Sequence, residues 1–408
     1  MSTIASEPAT SQPTRLDRRI FLLAFAIFTT GTDAGVVAGM LPQIAQDFHL
    51  GIGIAGQLLT AYAVTYAVGS PFFAALSVRY RSERIIIVCL LLFALAVGLS
   101  AIAPGITVLL IARVLAACFS ATYSPAAFAL AAALSPADRR GAGLSAVGTG
   151  FVATQITSVP IGVWVAYHFG WRVTFGIDLV LVLVAAAALR FARLPEMARP
   201  PAIGLAARLA PLTRPKVIGA FVPKILWATA VNGVTLFVAV LFGPRFGADK
   251  VALLFAVLGL GGLAGSQIGG RLVDRFGTTR TICYCLAVVI VVLALFNLLA
   301  GTFYGAAIAL FVLTCCGWAL FPALQSFLLQ LEPEHSIVVL ALNNSTSYLA
   351  LGAGAAMGTL VIGQASTSAL PYVSCAVAVV ALATWLINSA RVTDAGAEPL
   401  SEEPRGSQ

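Results

Sequence analysis

The sequence predicts an all-α membrane protein: twelve transmembrane helices in two pseudo-symmetric six-helix bundles, with both termini in the cytosol. Three observations predict it. The first is composition: of 408 residues, 60% are hydrophobic and only 10% charged, with a mean hydropathy of +0.97. A soluble domain is about 45–50% apolar and about 25% charged, and no water-soluble fold of this size could hide the surplus. The second is the spacing of long apolar runs. The third is the placement of basic residues between them.

Crossing ~30 Å of hydrocarbon takes about 20 apolar residues in a helix. Runs of that kind lie at 20–41, 53–77, 84–103, 106–132, 142–166 and 172–192, and again at 217–241, 251–271, 280–300, 303–329, 336–363 and 370–390. Basic residues mark the junctions in order. Arg15, Arg18 and Arg19 precede the first helix, and Arg79, Arg81 and Arg84 join the second to the third. Arg139 and Arg140 precede the fifth, and the stretch from Arg190 to Lys216 follows the sixth. Arg271, Arg275 and Arg280 join the eighth to the ninth, and Arg391 and Arg405 follow the twelfth. These are 19 of the 24 Lys and Arg, all on one side; only Arg172, Arg245 and Lys250 fall on the other. The positive-inside rule makes the rich side cytosolic. The net charge of +8 is thus topology rather than a footprint for nucleic acid, and no nucleic-acid partner is expected.

Residues 1–19 read as a polar cytosolic tail without a cleavable signal peptide, because the first apolar run is long enough to span and stay. The longest inner loop, 193–216, holds Pro195, Pro200, Pro201, Pro211 and Pro215 with five basic residues, and divides the helices six and six. The expected organisation is a first bundle at 20–192, a linker at 193–216, a second bundle at 217–390 and a cytosolic tail at 391–408. The halves match in register. LSVRYRSER (76–84) and LVDRFGTTR (272–280) are offset by 196, Pro125 and Pro322 by 197, and Gly162 and Gly358 by 196. Three matches in one register predict a duplicated six-helix unit with a substrate site between the halves near the midplane.

Several chemistries find no footing. All seven cysteines sit in apolar helices without His or carboxylate companions at metal spacing, so they read as small packing residues and no metal or cofactor is expected. His49, His168 and His335 fall near helix ends in loops. No HExxH, Ser-His pairing or GxxxxGK[ST] occurs, which argues against an enzyme and against an ATP-driven pump.

Four stretches carry more specific information. In GGRLVDRFGTTR (269–280), Gly270 would allow close helix contact, Asp274 would accept bonds from a neighbouring helix N-terminus, Gly277 would permit a tight turn, and Arg275 and Arg280 would anchor the loop. Its first-half copy keeps Arg79 and Arg84 but has Val78 and Arg81 where the acid and the glycine would stand. In the fifth helix, Gly148 and Gly150 lie upstream of SVPIGVWVAYHFGWRVTF (158–175), where Pro160 and Gly162 would let helices approach and bend. LLIARVLAA (109–117) centres on Arg113, and GTDAGVVAGMLPQIAQDF (31–48) carries Asp33. Together these stretches resemble the major facilitator superfamily, and specifically its twelve-helix drug:proton antiporter branch, which includes bacterial drug, sugar and nucleoside efflux proteins. The match at Arg113 is partial, since Ala116 and Ala117 stand where Gln and Gly are customary. The resemblance implies a monomeric secondary transporter of the bacterial cytoplasmic membrane. It would export small organic compounds in exchange for protons by alternating access, with the 269–280 loop as a gate and the fifth-helix signature associated with export. An uptake symporter for a small nutrient is the alternative.

Three buried charges bear on coupling. Asp33 lies 8 residues before Leu41, Arg113 lies 7 or 8 residues into the fourth helix, and Asp178 lies 7 residues past Trp171. At about 1.5 Å per residue all three sit at one depth in the outer half of the first bundle. A charge at a helix centre is disfavoured by about 2.5–3.5 kcal/mol on insertion scales and is usually functional. Asp33 is expected to exchange a proton, Arg113 to tune it, and Asp178 to be a secondary partner; a static pair locking helices one and four is the alternative. Lys224, 8 residues into the seventh helix, is expected to snorkel to the cytosolic interface. Candidates for the substrate cavity are Tyr62, Tyr66, Tyr123 and Gln155 in the first half. In the second they are Asn232, Trp318, Asn343 and Tyr348, a mixture suited to a small amphipathic molecule.

Overall fold

The computed structural model describes residues 16–77, 82–136, 139–195, 214–331 and 336–396, so Arg79, His335 and most of the linker and both tails lie outside the described residues. The described residues form helical runs and no strand. In chain order these are α1 (Arg18–Asp47), α2 (Ile52–Ser77), α3 (Ser82–Ala101), α4 (Ile106–Leu134), α5 (Arg140–Phe169) and α6 (Trp171–Phe191), then α7 (Pro215–Phe246), α8 (Ala248–Phe276), α9 (Thr278–Ala294), α10 (Phe303–Leu331), α11 (Ser336–Gln364) and α12 (Leu370–Gly396). Among the described residues, 11 helices are long and apolar enough to cross a membrane; α9 is shorter, at 17 residues. The apolar run at 280–300 is broken because Leu295 leaves helical geometry (φ −92°, ψ 0°) before the short helix Phe296–Leu299.

The duplication read from the sequence recurs in the helix starts. Arg18 and Pro215 are 197 residues apart, Ile52 and Ala248 196, Ser82 and Thr278 196, and Ile106 and Phe303 197. Connections are tight where glycine permits them. Gly170, Gly247 and Gly277 adopt φ of 92°, 76° and 79° at the α5/α6, α7/α8 and α8/α9 junctions, a left-handed region in which a side chain would be strained. At the other end of the chain, Asp17 caps α1 by accepting from the Arg19 amide at 2.8 Å.

With no hydrophobic force between helices inside lipid, close packing relies on small residues, and two glycine ladders supply it. On α1, Gly31, Gly35 and Gly39 face Thr154, Val159 and Val163 of α5. On α8, Gly261, Gly265 and Gly269 let the α10 backbone approach so closely that a Cβ would lie 2.7 Å from the Phe311 carbonyl oxygen, 2.8 Å from the Cys315 carbonyl carbon and 2.6 Å from the Ala319 carbonyl oxygen. The α1 ladder advances four residues at each step, whereas its α5 partners advance five and then four. The extra residue is absorbed by a π-turn at Thr154–Ser158, just before Pro160. Proline removes an amide donor from the helix ladder, which gives the bulge its place. The turn's first and last side chains face α1: Thr154 Oγ1 donates to the Phe28 carbonyl at 3.0 Å, and the Thr32 and Ser158 hydroxyls lie 2.5 Å apart.

The halves meet through α2 with α11, α5 with α8, and α1 with the end of α7. Gly56 lies against Thr359 and Gly352 against Ala63 and Val64; a Cβ on Gly259 would lie 2.7 Å from the Gln155 carbonyl carbon. Trp164 Nε1 donates to Asp249 Oδ1 at 3.0 Å across the halves. These contacts run from the face carrying Asp47, Arg172 and Asp249 to the middle of the helices. On that face Arg172 and Trp171 of α6 both donate to Asp47 of α1, which closes the first half's rim.

Candidate functional site

The three charges expected at one depth are brought together, with unequal partners. Arg113 and Asp33 form a bidentate pair, Nη2 to Oδ1 at 2.6 Å and Nη1 to Oδ2 at 2.8 Å, each residue being 1% exposed. The guanidinium also donates to Ser100 Oγ at 3.1 Å, and Ser100 in turn donates to the Ala96 carbonyl at 3.0 Å. Phe175 and Tyr62 flank it, with ring centres 4.9 and 5.9 Å from the guanidinium carbon. Planar bidentate geometry of this kind is the strong form of an ion pair. Asp178 makes no such bond: both of its carboxyl oxygens are buried without a hydrogen-bond partner among the described residues, within electrostatic reach of Asp33 and Arg113. The site therefore holds two carboxyls and one guanidinium, and the guanidinium is committed to Asp33.

The cavity candidates separate into two groups. Tyr66 of α2 and Tyr348 of α11 stack across the halves with ring centres 3.6 Å apart, and Tyr62 lies 6.4 Å from Tyr66 toward Arg113. Trp318 is 37% exposed and its ring lies 6.2 Å from that of Phe151. Gln155, in the π-turn, presents its backbone to Gly259. Tyr123 instead is fully buried and donates to the Leu23 carbonyl at 3.3 Å, tying α4 to α1. Asn232 packs its Cβ near Gly354, inside the second half.

Lys224 departs from expectation most. Snorkelling would leave its ammonium in water, but the residue is 2% exposed. Its Nζ donates to Asn343 Oδ1 at 2.6 Å, to Thr346 Oγ1 and Ser347 Oγ at 2.8 Å each, and to the Asn343 carbonyl. The polar face of α11 reaches it before the interface can. The sequence names Asn343 only as a cavity candidate; the pattern Asn343, Thr346, Ser347 at helical spacing is the signal that joins it to Lys224.

The motif glycines are also redistributed. A Cβ on Gly270 or on Gly148 would meet nothing within 4 Å, so neither makes the close contact expected of it. Gly269 makes the first, and Gly150, whose Cβ would lie 2.9 Å from the Ala24 carbonyl carbon, makes the second. Gly162 lies against Val36, and Gly277 makes the expected tight turn. Asp274 is exposed and has no hydrogen-bond partner among the described residues. Arg84 and Arg280 are exposed, and Arg275 lies over the Phe276 ring at 5.3 Å. His168 belongs to the last turn of α5 rather than a loop, 3.7 Å from Asp249.

Comparison with known proteins gives these features a setting. The family profile described as Major Facilitator Superfamily matches residues 23–355. The chain is 26% identical over 371 residues to an uncharacterized MFS-type transporter, YbcL, of Bacillus subtilis (strain 168), covering 90% of this chain and 95% of that one. It is 27% identical over 361 residues to the inner membrane transport protein YdhP of Escherichia coli (strain K12), covering 88% and 91%. Among solved structures, a peptide transporter POT in complex with sulfate superposes with a TM-score of 0.77 at 13% identity, covering 96% of this chain and 97% of that one.

Proposed function

The chain belongs to the major facilitator superfamily, and on that premise we propose that it exports small organic compounds in exchange for protons, with Asp33, Arg113 and Asp178 coupling the two movements. Secondary transport across a membrane is the family's activity; direction and coupling ion are our reading. The observation that carries it is the imbalance at Arg113: two buried carboxyls lie at one cation, and Asp178 has no hydrogen-bond partner among the described residues. A carboxylate left alone in a low-dielectric interior is strongly disfavoured. A proton on Asp178, or transfer of Arg113 from Asp33 to Asp178 with the proton moving to Asp33, relieves the imbalance. A group that holds a proton in one arrangement of the bundle and not in another is what coupling requires.

Export is favoured by the fifth-helix signature, now seen as a π-turn fitted to the α1 ladder and to Gly259 of the opposite half. With twelve spanning helices, the basic residues put Asp47, Arg172 and Asp249 outside, so the contacts between halves close the outer side and access is from the cytosol. The two bundles would then rock about the central site, and Asp274, Arg275, Gly277 and Arg280 would bias the inner gate. The bacterial cytoplasmic membrane is the setting that fits, as the name of YdhP records for that protein.

The test uses inverted membrane vesicles with an acidified lumen and a pH-sensitive dye, to which compounds are added singly. Dissipation of the gradient by a compound with wild type, and not with Asp33→Asn, is the expected result. An equal response from Asp33→Asn removes Asp33 from the coupling path. Accumulation of a responsive compound inside intact cells would replace export by proton-driven uptake.

A further inference from the structure

The buried cation of the second half is unused by this account. Lys224 has only neutral oxygens around it: an amide oxygen, a backbone carbonyl and two hydroxyls, with no acidic side chain within ion-pair distance among the described residues. Neutral oxygens solvate a buried ammonium but do not cancel its charge. A second observation is independent of the lysine. Asn343 is fully buried, and while its Oδ1 accepts from Lys224, its Nδ2 is buried with no hydrogen-bond partner among the described residues. An unsatisfied buried donor is disfavoured. The cluster thus has a surplus of positive charge and a surplus donor, and lacks an acceptor that carries negative charge.

Its surroundings indicate what such an acceptor would be attached to. The ammonium lies 6.0 Å from the centre of the Phe321 ring of α10. Ser347 is followed directly by Tyr348, whose ring stacks on Tyr66 across the halves, which sets the cluster beside the meeting of the two bundles. Trp318, half a turn and more before Phe321 on α10, is 37% exposed, and Asn344, next to Asn343, is exposed. An exposed amide eight residues into a spanning helix belongs against water rather than lipid. The Phe321 ring, the Trp318 ring 6.2 Å from it and the stacked Tyr348 thus give the neighbourhood of the cluster an aromatic character.

We propose that Lys224 and Asn343 form the anion-recognition site of this transporter, and that its substrates are small aromatic or planar organic acids bound as carboxylates. The carboxylate oxygens take the free Nδ2–H of Asn343 and one ammonium proton of Lys224, displacing one of the four oxygens that share its three N–H groups, while the Thr346 and Ser347 hydroxyls, which donate to the Asn343 carbonyl at 2.9 and 3.0 Å, keep the α11 face in place. The planar body lies among Phe321, Trp318 and Tyr348. This deepens the transporter reading and rests on it only for the statement that the ligand is cargo; binding itself requires neither proton coupling nor export.

The experiment is binding to the purified full-length protein in lipid nanodiscs by titration calorimetry, with benzoate, phenylacetate and indole-3-acetate each compared with its neutral amide. At least one acid is expected to bind about tenfold or more tightly than its amide, each factor of ten being about 1.4 kcal/mol. Lys224→Gln should lose that preference and Lys224→Arg should keep part of it. The acid-against-amide comparison on wild type stands even if a variant misfolds. Equal affinity for acid and amide, binding by none of the three acids, or an undiminished preference in a folded Lys224→Gln would each overturn the proposal. A preference for acids without any proton movement in the vesicle assay would leave the site standing and remove the antiport reading.

Discussion

Arg113 and Lys224 are buried to the same degree, at 1% and 2% exposure, in two halves whose helices start in one register, yet they are compensated in opposite ways. Arg113 is clamped by a carboxylate, a hydroxyl and two aromatic rings, with a further carboxyl beside it. Among the described residues, Lys224 is held by neutral oxygens alone. The residues in matching register make the contrast sharper. The counterparts of Asp33 and Arg113, 197 residues on, are Ala230 and Leu310; that of Asp178, 196 residues on, is Ser374; and that of Lys224, 197 residues back, is Ile27. Duplication copied the helices and not the charges. In this account the first half handles protons and the second handles cargo.

The comparison is most easily broken at Arg113. Arg113→Gln leaves Asp33 buried without its cation, and removing one partner of a buried pair is disfavoured by about 3–5 kcal/mol. A collapse in folded yield and a large fall in thermal midpoint in detergent are expected; a variant as stable as wild type would show that the pair contributes little. Lys224→Met should behave in the opposite sense. It removes a buried charge with no counter-charge, and that relief offsets the hydrogen bond that Asn343 Oδ1 loses. The expected result is an unchanged or raised midpoint together with lost acid binding. A fall as deep as that of Arg113→Gln would make the two cations alike and end the contrast.

Smaller changes sharpen it. Ser100→Ala removes one hydrogen bond to the guanidinium without touching Asp33, which should lower stability by about 1–3 kcal/mol, visible as a modest midpoint shift with proton response retained. Gly270→Ala should do least, because a Cβ there meets nothing within 4 Å. Gly269→Ala, whose Cβ would sit 2.6 Å from the Ala319 carbonyl oxygen, should lower both yield and transport. Equal behaviour of the two glycine variants would contradict the packing of α8 on α10.

How much of this was legible in the sequence follows from which physics each feature obeys. The all-helical class, the register between the halves and the meeting of Asp33 with Arg113 depend on length, hydropathy and depth, all of which are linear along the chain. Depth alone could not say that Arg113 would bond to Asp33 and leave Asp178 bare, since that depends on which face each residue takes and on Ser100 and Phe175 around the guanidinium. The fate of Lys224 escapes the sequence for the same reason. Its distance from the interface permits snorkelling, and only the azimuth of Asn343, Thr346 and Ser347 on α11 shows a nearer set of oxygens. The π-turn at Thr154–Ser158 was foreshadowed by Pro160, but its use, restoring register with the α1 glycines, needs both helices in view. Gly269 and Gly270 are adjacent and identical in type, so the sequence could not tell the contact from its neighbour.

The division of labour between the halves is tested most directly by substrate counterflow in proteoliposomes, using a labelled compound that dissipates the proton gradient with wild type. Counterflow needs cargo binding and alternating access but no net proton movement. The account predicts that Asp33→Asn still exchanges labelled for unlabelled compound while losing proton-driven accumulation, and that Lys224→Gln loses both. Proton-driven accumulation by Asp33→Asn, or full counterflow by Lys224→Gln, would contradict it.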